Sequence, residues 1–221
     1  AFLSQSGALG AAVLNSLRET NIKFAHFISV GNKADISEND ILQFWLEDDN
    51  VKVITMYLES FENGFEFLNI LNSAKTKKPV IILKAGKTKA GMKAASSHTG
   101  ALSSNDKIVD SLLNQFGVIR VKDLSELFNT AKGFENFPIP KEKNIAVITN
   151  AGGPAILAVD KLEERNLNLA QISEITKSKL REIVHPEGSV NNPIDLLPGG
   201  NPEIYKSAIE IILQDENVDA V

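Results

Sequence analysis

The sequence predicts two α/β domains in tandem, each a doubly wound parallel sheet, and three observations carry that expectation. Short, β-branched, continuously apolar runs at residues 24–30, 51–58, 80–83 and 118–121 alternate with amphipathic segments at 8–20, 38–47, 61–76, 104–116 and 124–132. Strands that are apolar on both faces are those of a parallel sheet covered by helices from either side. The alternation pauses in FENFPIPKEK (residues 134–143), with its two prolines and charge cluster, and resumes at Asn144. Finally, the halves echo one another. Shifted by 145 residues, FLSQSGALGAAVLNSLRETNI lies over VITNAGGPAILAVDKLEERNL, placing Gly7 on Gly152, Leu17 on Leu162, Glu19 on Glu164 and Asn21 on Asn166. The expected organisation is a first domain over 1–135, a linker over 136–143 and a second domain over 144–221.

Taken in order, Ala1-Phe2-Leu3 reads as the tail of a strand already in progress, and SQSGALG turns the chain into the first helix. The strand–helix alternation then runs to Gly133. The loop GKTKAGMKAASSHTGAL (residues 86–102) interrupts it with three glycines, three lysines and a run of four small residues, and is read as a long mobile connection. In the second domain, residues 145–149 and 167–172 read as strands, while 152–165, 175–184 and 202–214 read as helices. HPEGSVNNPIDLLPGGN (185–201) reads as a turn-rich loop, and residues 218–221 as the start of another strand. Neither end carries a cap or a polar tail, so the sequence is read as a fragment of a longer polypeptide, its second domain truncated.

Composition narrows the function classes. Hydrophobic residues make up 43% and charged residues 23%, the balance of a globular chain. The formal net charge is −5, and no basic cluster interleaves with aromatics, so nucleic acid is not an expected partner. There is no cysteine, which excludes disulfides and thiolate catalysis and fits a cytoplasmic location. No apolar run reaches the length of a membrane span, so no membrane partner is expected.

Four positions carry candidate chemistry. Ser6, Gly7 and Ala8 open a helix directly after a strand; unpaired backbone N–H groups and about half a positive charge at a helix N-terminus suit a phosphate or carboxylate. As an isolated motif, the same residues describe an ordinary capped helix. Glu59, in MYLES, stands where an apolar strand stops, on the edge of a parallel sheet where ligands bind. A carboxylate there can hold one imidazole nitrogen and leave the other free to attack. His98 lies in the long loop that follows another strand end, so three strand ends converge on one edge. Gly152 and Gly153, followed by Pro154, open a second such helix. His26 reads as structural and His185 as a loop residue. The spacing fits neither the dinucleotide fingerprint, which needs glycine where Gln5 stands, nor a P-loop, which needs one at Ile81. No metal-ligand set is expected.

Together SQSGAL, YLES, AGKTKAGMKAASSHTGAL and TNAGGPAILAVDKLEE resemble the nucleoside-diphosphate-forming acyl-CoA synthetases, relatives of succinyl-CoA synthetase. The resemblance spans nearly the whole chain and implies flavodoxin-like domains. It implies interconversion of acyl-CoA, phosphate and NDP with free acid, CoA and NTP through an acyl phosphate and a phosphohistidine. His98 then corresponds to the phosphorylated nucleophile, Glu59 to the carboxylate orienting it, and Ser6, Gly7, Ala8, Gly152 and Gly153 to the helix ends holding the phosphate. It further implies a CoA-binding Rossmann domain before residue 1 and an ATP-grasp domain or subunit elsewhere. ATP or ADP and CoA would be substrates, Mg²⁺ would come with the nucleotide on the absent parts, and the assembly would be oligomeric. On this expectation the fragment alone does not complete turnover. A second reading is an acyl-CoA-sensing regulatory region of a protein lysine acetyltransferase; an intact His98 favours the enzyme. A plain flavodoxin-like binding module is the third, disfavoured because no aromatic pair is placed for a flavin ring.

Overall fold

A computed structural model describes residues 1–17, 22–99 and 105–221, except the side chains of Ser96, His98 and Thr99. The predicted end of the first helix at Thr20, the start of another at Ser104 and the last residues of the 86–102 loop lie outside the described residues. The chain divides into two compact units, Ala1–Pro138 and Ile139–Val221.

In the first unit the elements run β1 (Phe2–Ser4), α1 (Gly7–Ser16), β2 (Phe27–Ser29), α2 (Glu38–Glu47), β3 (Ile54–Leu58), α3 (Gly64–Ser73) and β4 (Val80–Lys84). They continue through α4 (Lys89–Thr99), α5 (Asp106–Gln115), β5 (Ile119–Arg120) and α6 (Leu124–Asn136). The strands form one five-stranded sheet in the order β2-β1-β3-β4-β5, every pairing parallel. This is the doubly wound, flavodoxin-like order, with its switch point between β1 and β3. Side chains alternate across it. Leu3, Ile54, Met56, Leu58 and Ile82 pack on one face with Leu42 and Trp45 of α2 and Phe67 of α3. Phe2, Ile81 and Leu83 pack on the other with Val13 of α1 and Leu127 and Phe128 of α6. Both faces being buried explains why the strands read as unbroken apolar runs.

Ser37 starts α2 with a full capping box: its N–H donates to Asp40 Oδ2 at 2.8 Å and its Oγ accepts from Asn39 N–H at 3.2 Å. The hydrogen bonds from the Ser37 hydroxyl and N–H hold the Asp40 carboxyl below its ordinary pKa. His26, just before β2, bonds Asp48 Oδ2 through Nε2 at 2.7 Å and stacks on Trp45, so its imidazole ties β2 to the end of α2.

The second unit comprises β6 (Asn144–Ile145), β7 (Ile148–Thr149), α7 (Gly152–Glu164), β8 (Asn168–Leu169), α8 (Glu174–Arg181), β9 (Ile194–Asp195) and α9 (Pro202–Ile212). β6 pairs with β8 and β7 with β9, both in parallel. Its core gathers Ala146, Ala170, Ile172, Leu180, Ile194, Ala208 and Ile212.

Five sequence expectations need correction. Residues 86–102 are not a continuous loop: Thr88 starts α4, its Oγ1 accepting the Gly91 N–H at 3.0 Å and its carbonyl the Met92 N–H at 2.7 Å. The alanines and lysines that made the stretch look featureless are strong helix formers, and their propensity outweighs Gly91. Helix α6 runs to Asn136, past the expected end at Lys132, until Phe137 and Pro138 stop it. The single strand expected over 145–149 is interrupted between Ile145 and Ile148. The expected loop 185–201 contains β9, too short to show a pattern, while the strand expected at 218–221 contributes one bridge, Ala220 to Ile145.

Candidate functional site at the carboxyl edge of the first sheet

The site grows from the ends of β1 and β3, which lie side by side in parallel with Ser4 opposite Tyr57. Beyond β1, Ser4 Oγ accepts the Ser6 N–H at 3.2 Å and donates to the Ser6 carbonyl at 2.7 Å, pinning the turn. Ser6 then caps α1, its Oγ accepting from Leu9 N–H at 3.3 Å. Gly7 and Ala8 form the exposed first turn, whose N–H groups have no partner within the helix. Gly10 lets α1 lie close on the sheet: a Cβ there would stand 3.0 Å from Phe27 Cζ.

Glu59 is the first residue beyond β3 and is half-buried. Its N–H donates to Gln5 Oε1 at 2.8 Å, so one side chain joins the helix-opening turn to the acid. Tyr57 Oη donates to Glu59 Oε1 across 3.4 Å, a long bond that leaves the other carboxylate oxygen unengaged by it. Burial, reinforced by the Glu59 charge, raises the Tyr57 pKa above its ordinary value. A cavity of about 410 Å³ opens beside Glu59 between α3, α4 and α5, lined among others by Phe61, Phe65, Lys84, Met92 and Leu112.

The structure thus brings Ser6, Gly7, Ala8 and Glu59 to one sheet edge. His98 lies in the last turn of α4, the helix that follows β4, and the placement of its side chain lies outside what the structure describes. In the second unit, Gly152 and Gly153 are the first residues of α7 and are exposed. Thr149 pins their turn as Ser4 pins the first: Oγ1 donates to the Ala151 carbonyl at 2.7 Å and accepts the Ala151 N–H at 3.0 Å. Ala151 itself offers no side-chain cap. Among the described residues no cluster of three or more His, Asp or Glu comes together as a metal site, and no helix is long and apolar enough to cross a membrane.

Three residues at this edge escaped the sequence reading as contributors. Gln5 is 6% exposed, Lys33 8% and Lys84 7%, and all three engage the backbone of residues 59 and 60. Lys33 stands in the turn-forming stretch GNKAD, whereas Lys84 follows Leu83 and precedes Ala85. The one available signal was a lone cation closing the apolar run VIILK.

Residues 1–134 match the family described as succinyl-CoA ligase like flavodoxin domain, and residues 145–221 match a ligase-CoA domain. The chain belongs to this CoA-ligase family. It is 39% identical over 219 residues to the alpha subunit of ADP-forming acetate–CoA ligase II of Pyrococcus furiosus, matching 99% of this chain and 48% of that one. It is also 39% identical over 223 residues to the ADP-forming 4-hydroxybutyrate–CoA ligase of Nitrosopumilus maritimus, matching 100% of this chain and 32% of that protein. Among solved structures, the dinucleotide forming acetyl-coenzyme A synthetase 1 of Ca. Korarchaeum cryptofilum, in complex with phosphate and ADP, aligns with a TM-score of 0.92 at 33% identity. That alignment takes in 99% of this chain and 47% of the other. The chain therefore spans between about a third and a half of the length of these ligase relatives.

Proposed function

We propose that this chain is the phosphohistidine-bearing part of an NDP-forming acid–CoA ligase that works through an acyl phosphate. The observation that carries the reading is the direct tie, through Gln5, between the turn that opens a capped helix and the main chain of Glu59 on the carboxyl edge of a parallel sheet, in a chain of this family. Phosphate oxygen attacks the thioester carbonyl, the C–S bond breaks, and CoA leaves with a proton. The ring nitrogen of His98 then attacks the phosphorus of the acyl phosphate; the P–O bond to the acyl group breaks and the carboxylate departs. Transfer of the phosphoryl group to NDP restores the imidazole and yields NTP.

In this reading Ser6, Gly7 and Ala8 present N–H groups to the phosphate, and Gly152 and Gly153 supply a second anion-binding helix end. Glu59 accepts the N–H of one imidazole nitrogen and holds the other for attack. Phosphoryl transfer asks the protein for position and charge complementarity, which helix ends and a fixed carboxylate supply. The CoA-binding Rossmann domain, the ATP-grasp part and the Mg²⁺ that accompanies the nucleotide belong to the portions beyond this chain, in an oligomeric cytoplasmic enzyme. Among the described residues no ligand set for that ion gathers, and of the steps above this chain supplies the phosphate-holding helix ends, the attacking imidazole and its orienting carboxylate.

The test is phosphorylation of the full-length parent protein by γ-labelled ATP and Mg²⁺, with and without His98→Asn. An acid-labile, base-stable label that is absent from the variant and is discharged by acid plus CoA is the expected result. A folded parent that binds acyl-CoA yet takes no label overturns the reading.

A further inference from the structure

The backbone of Glu59 and Ser60 is held by side chains rather than by the sheet. Both N–H groups donate to Gln5 Oε1, at 2.8 Å from Glu59 and 3.1 Å from Ser60. The Glu59 carbonyl accepts from Lys84 Nζ at 2.7 Å and the Ser60 carbonyl from Lys33 Nζ at 2.6 Å. Gln5 Nε2 also donates to Ser60 Oγ at 3.2 Å. Every backbone polar group of these two residues is thereby engaged by one of three buried side chains. Lys33 is neutralised by Glu38 at 2.6 Å, and Glu38 Oε1 accepts the Glu62 N–H at 2.6 Å, which extends the grip along the chain.

Lys84 differs from Lys33. Among the described residues no carboxylate lies within ion-pair distance of it, and its Nζ is spent on two carbonyls, those of Glu59 and Ala85. Desolvation, with a smaller push from Arg120, lowers the pKa of its amine, and Asp106 and Glu59 oppose that shift without reversing it. Burying a cation with no carboxylate in contact is costly, and a turn can be closed without one. Charges kept at such expense concentrate where geometry serves chemistry.

We propose that Lys84, acting with Gln5 and Lys33, is a positioning residue for phosphoryl transfer: it fixes the main chain of Glu59 so that the carboxylate meets the reacting imidazole in one orientation. The inference rests on the role given to Glu59 above. Misplacing an orienting group by about an ångström costs on the order of 100-fold in rate.

A double-mutant cycle on the full-length parent protein tests it, read as the rate of labelling from γ-labelled ATP together with kcat and KM for acid and CoA. Lys84→Met and Gln5→Leu, which remove different parts of the clamp, should each slow labelling roughly 10- to 100-fold with KM nearly unchanged. In a Glu59→Ala background neither should slow it further. Equal losses in both backgrounds would overturn the proposal, because a merely structural lysine acts independently of the acid. Should Lys84→Met fail to fold, Gln5→Leu alone decides. A His98→Asn arm separates the two levels: a parent without His98-dependent label defeats the functional reading and the clamp together. Normal label with additive losses defeats the clamp alone.

Discussion

Residues 4–7 and 149–152 stand 145 positions apart and build one turn twice. In each a hydroxyl at the strand end, Ser4 or Thr149, pins the N–H and the carbonyl of the residue two positions on. A side-chain amide is also nearby in each. Gln5 ties the first turn to the neighbouring strand end. In the second unit Asn192 Oδ1 accepts the Val147 N–H at 2.8 Å, and its Nδ2 donates to the carbonyls of Ile145 and Ala170 at 2.9 and 3.0 Å. The turns differ at their last residue before the helix. Ser6 occupies one free N–H of α1 with its own hydroxyl, whereas Ala151 leaves the start of α7 uncapped. The amides differ too: Gln5 secures a loop beyond a continuous sheet, while Asn192 fills the gap where a strand is interrupted. One local grammar thus serves a finished helix end in one unit and an open one in the other.

The sharpest way to break this comparison is Asn192→Ala. It leaves the Val147 N–H and the Ala170 carbonyl without the amide, while the Ile145 carbonyl keeps the Ala170 N–H at 2.9 Å. Polar groups left unpaired away from water cost about 1–3 kcal/mol each, so we expect the second unit to lose at least about 2 kcal/mol. Chemical denaturation followed by hydrogen exchange should place that loss in residues 139–221 and leave the first unit's protection intact. A loss below about 1 kcal/mol would mean the interrupted strand needs no stitch.

The pinning hydroxyls give a smaller, paired effect. Ser4→Ala and Thr149→Ala each remove a donor and an acceptor from the same two atoms of the turn, and each should cost about 1–2 kcal/mol. Unequal values by thermal melting of the two units would show that the turns share a shape but not an energetic role. Smallest is the cap exchange. Ser6→Ala should destabilise α1 by about 1 kcal/mol, and Ala151→Ser should stabilise α7 by a similar or smaller amount. If Ala151→Ser instead gains nothing, the open end of α7 is already satisfied by other means.

The sequence made the order of elements legible because both faces of the first sheet are buried, which turns strands into runs such as VIIL that no exposed segment imitates. It made Ser6 and Glu59 legible for a related reason: both stand where such a run stops, and parallel pairing puts those stops on one edge. Helix α4 was missed because its alanines, lysines and serines carry no apolar stripe, leaving propensity as the only sign. β9 was missed because its two residues sit among Asn, Pro and Gly. The clamp on Glu59 was missed for a deeper reason. Lys33 and Lys84 look like solvent-facing cations until Glu38 and the carbonyls of residues 59, 60 and 85 come into place around them, and those partners come from separate strand ends.

Lys84 is also the last residue of β4, paired in register with Leu58, and the chain leaves it through Gly86, at φ +74°, directly into α4. The anchor of Glu59 and the root of the segment bearing His98 are therefore surveyed from a single benchmark. A slide of β4 along its own axis carries both origins by the same amount. Breathing of the sheet is common to the two, and what remains to be controlled is the short run between Gly86 and the end of α4.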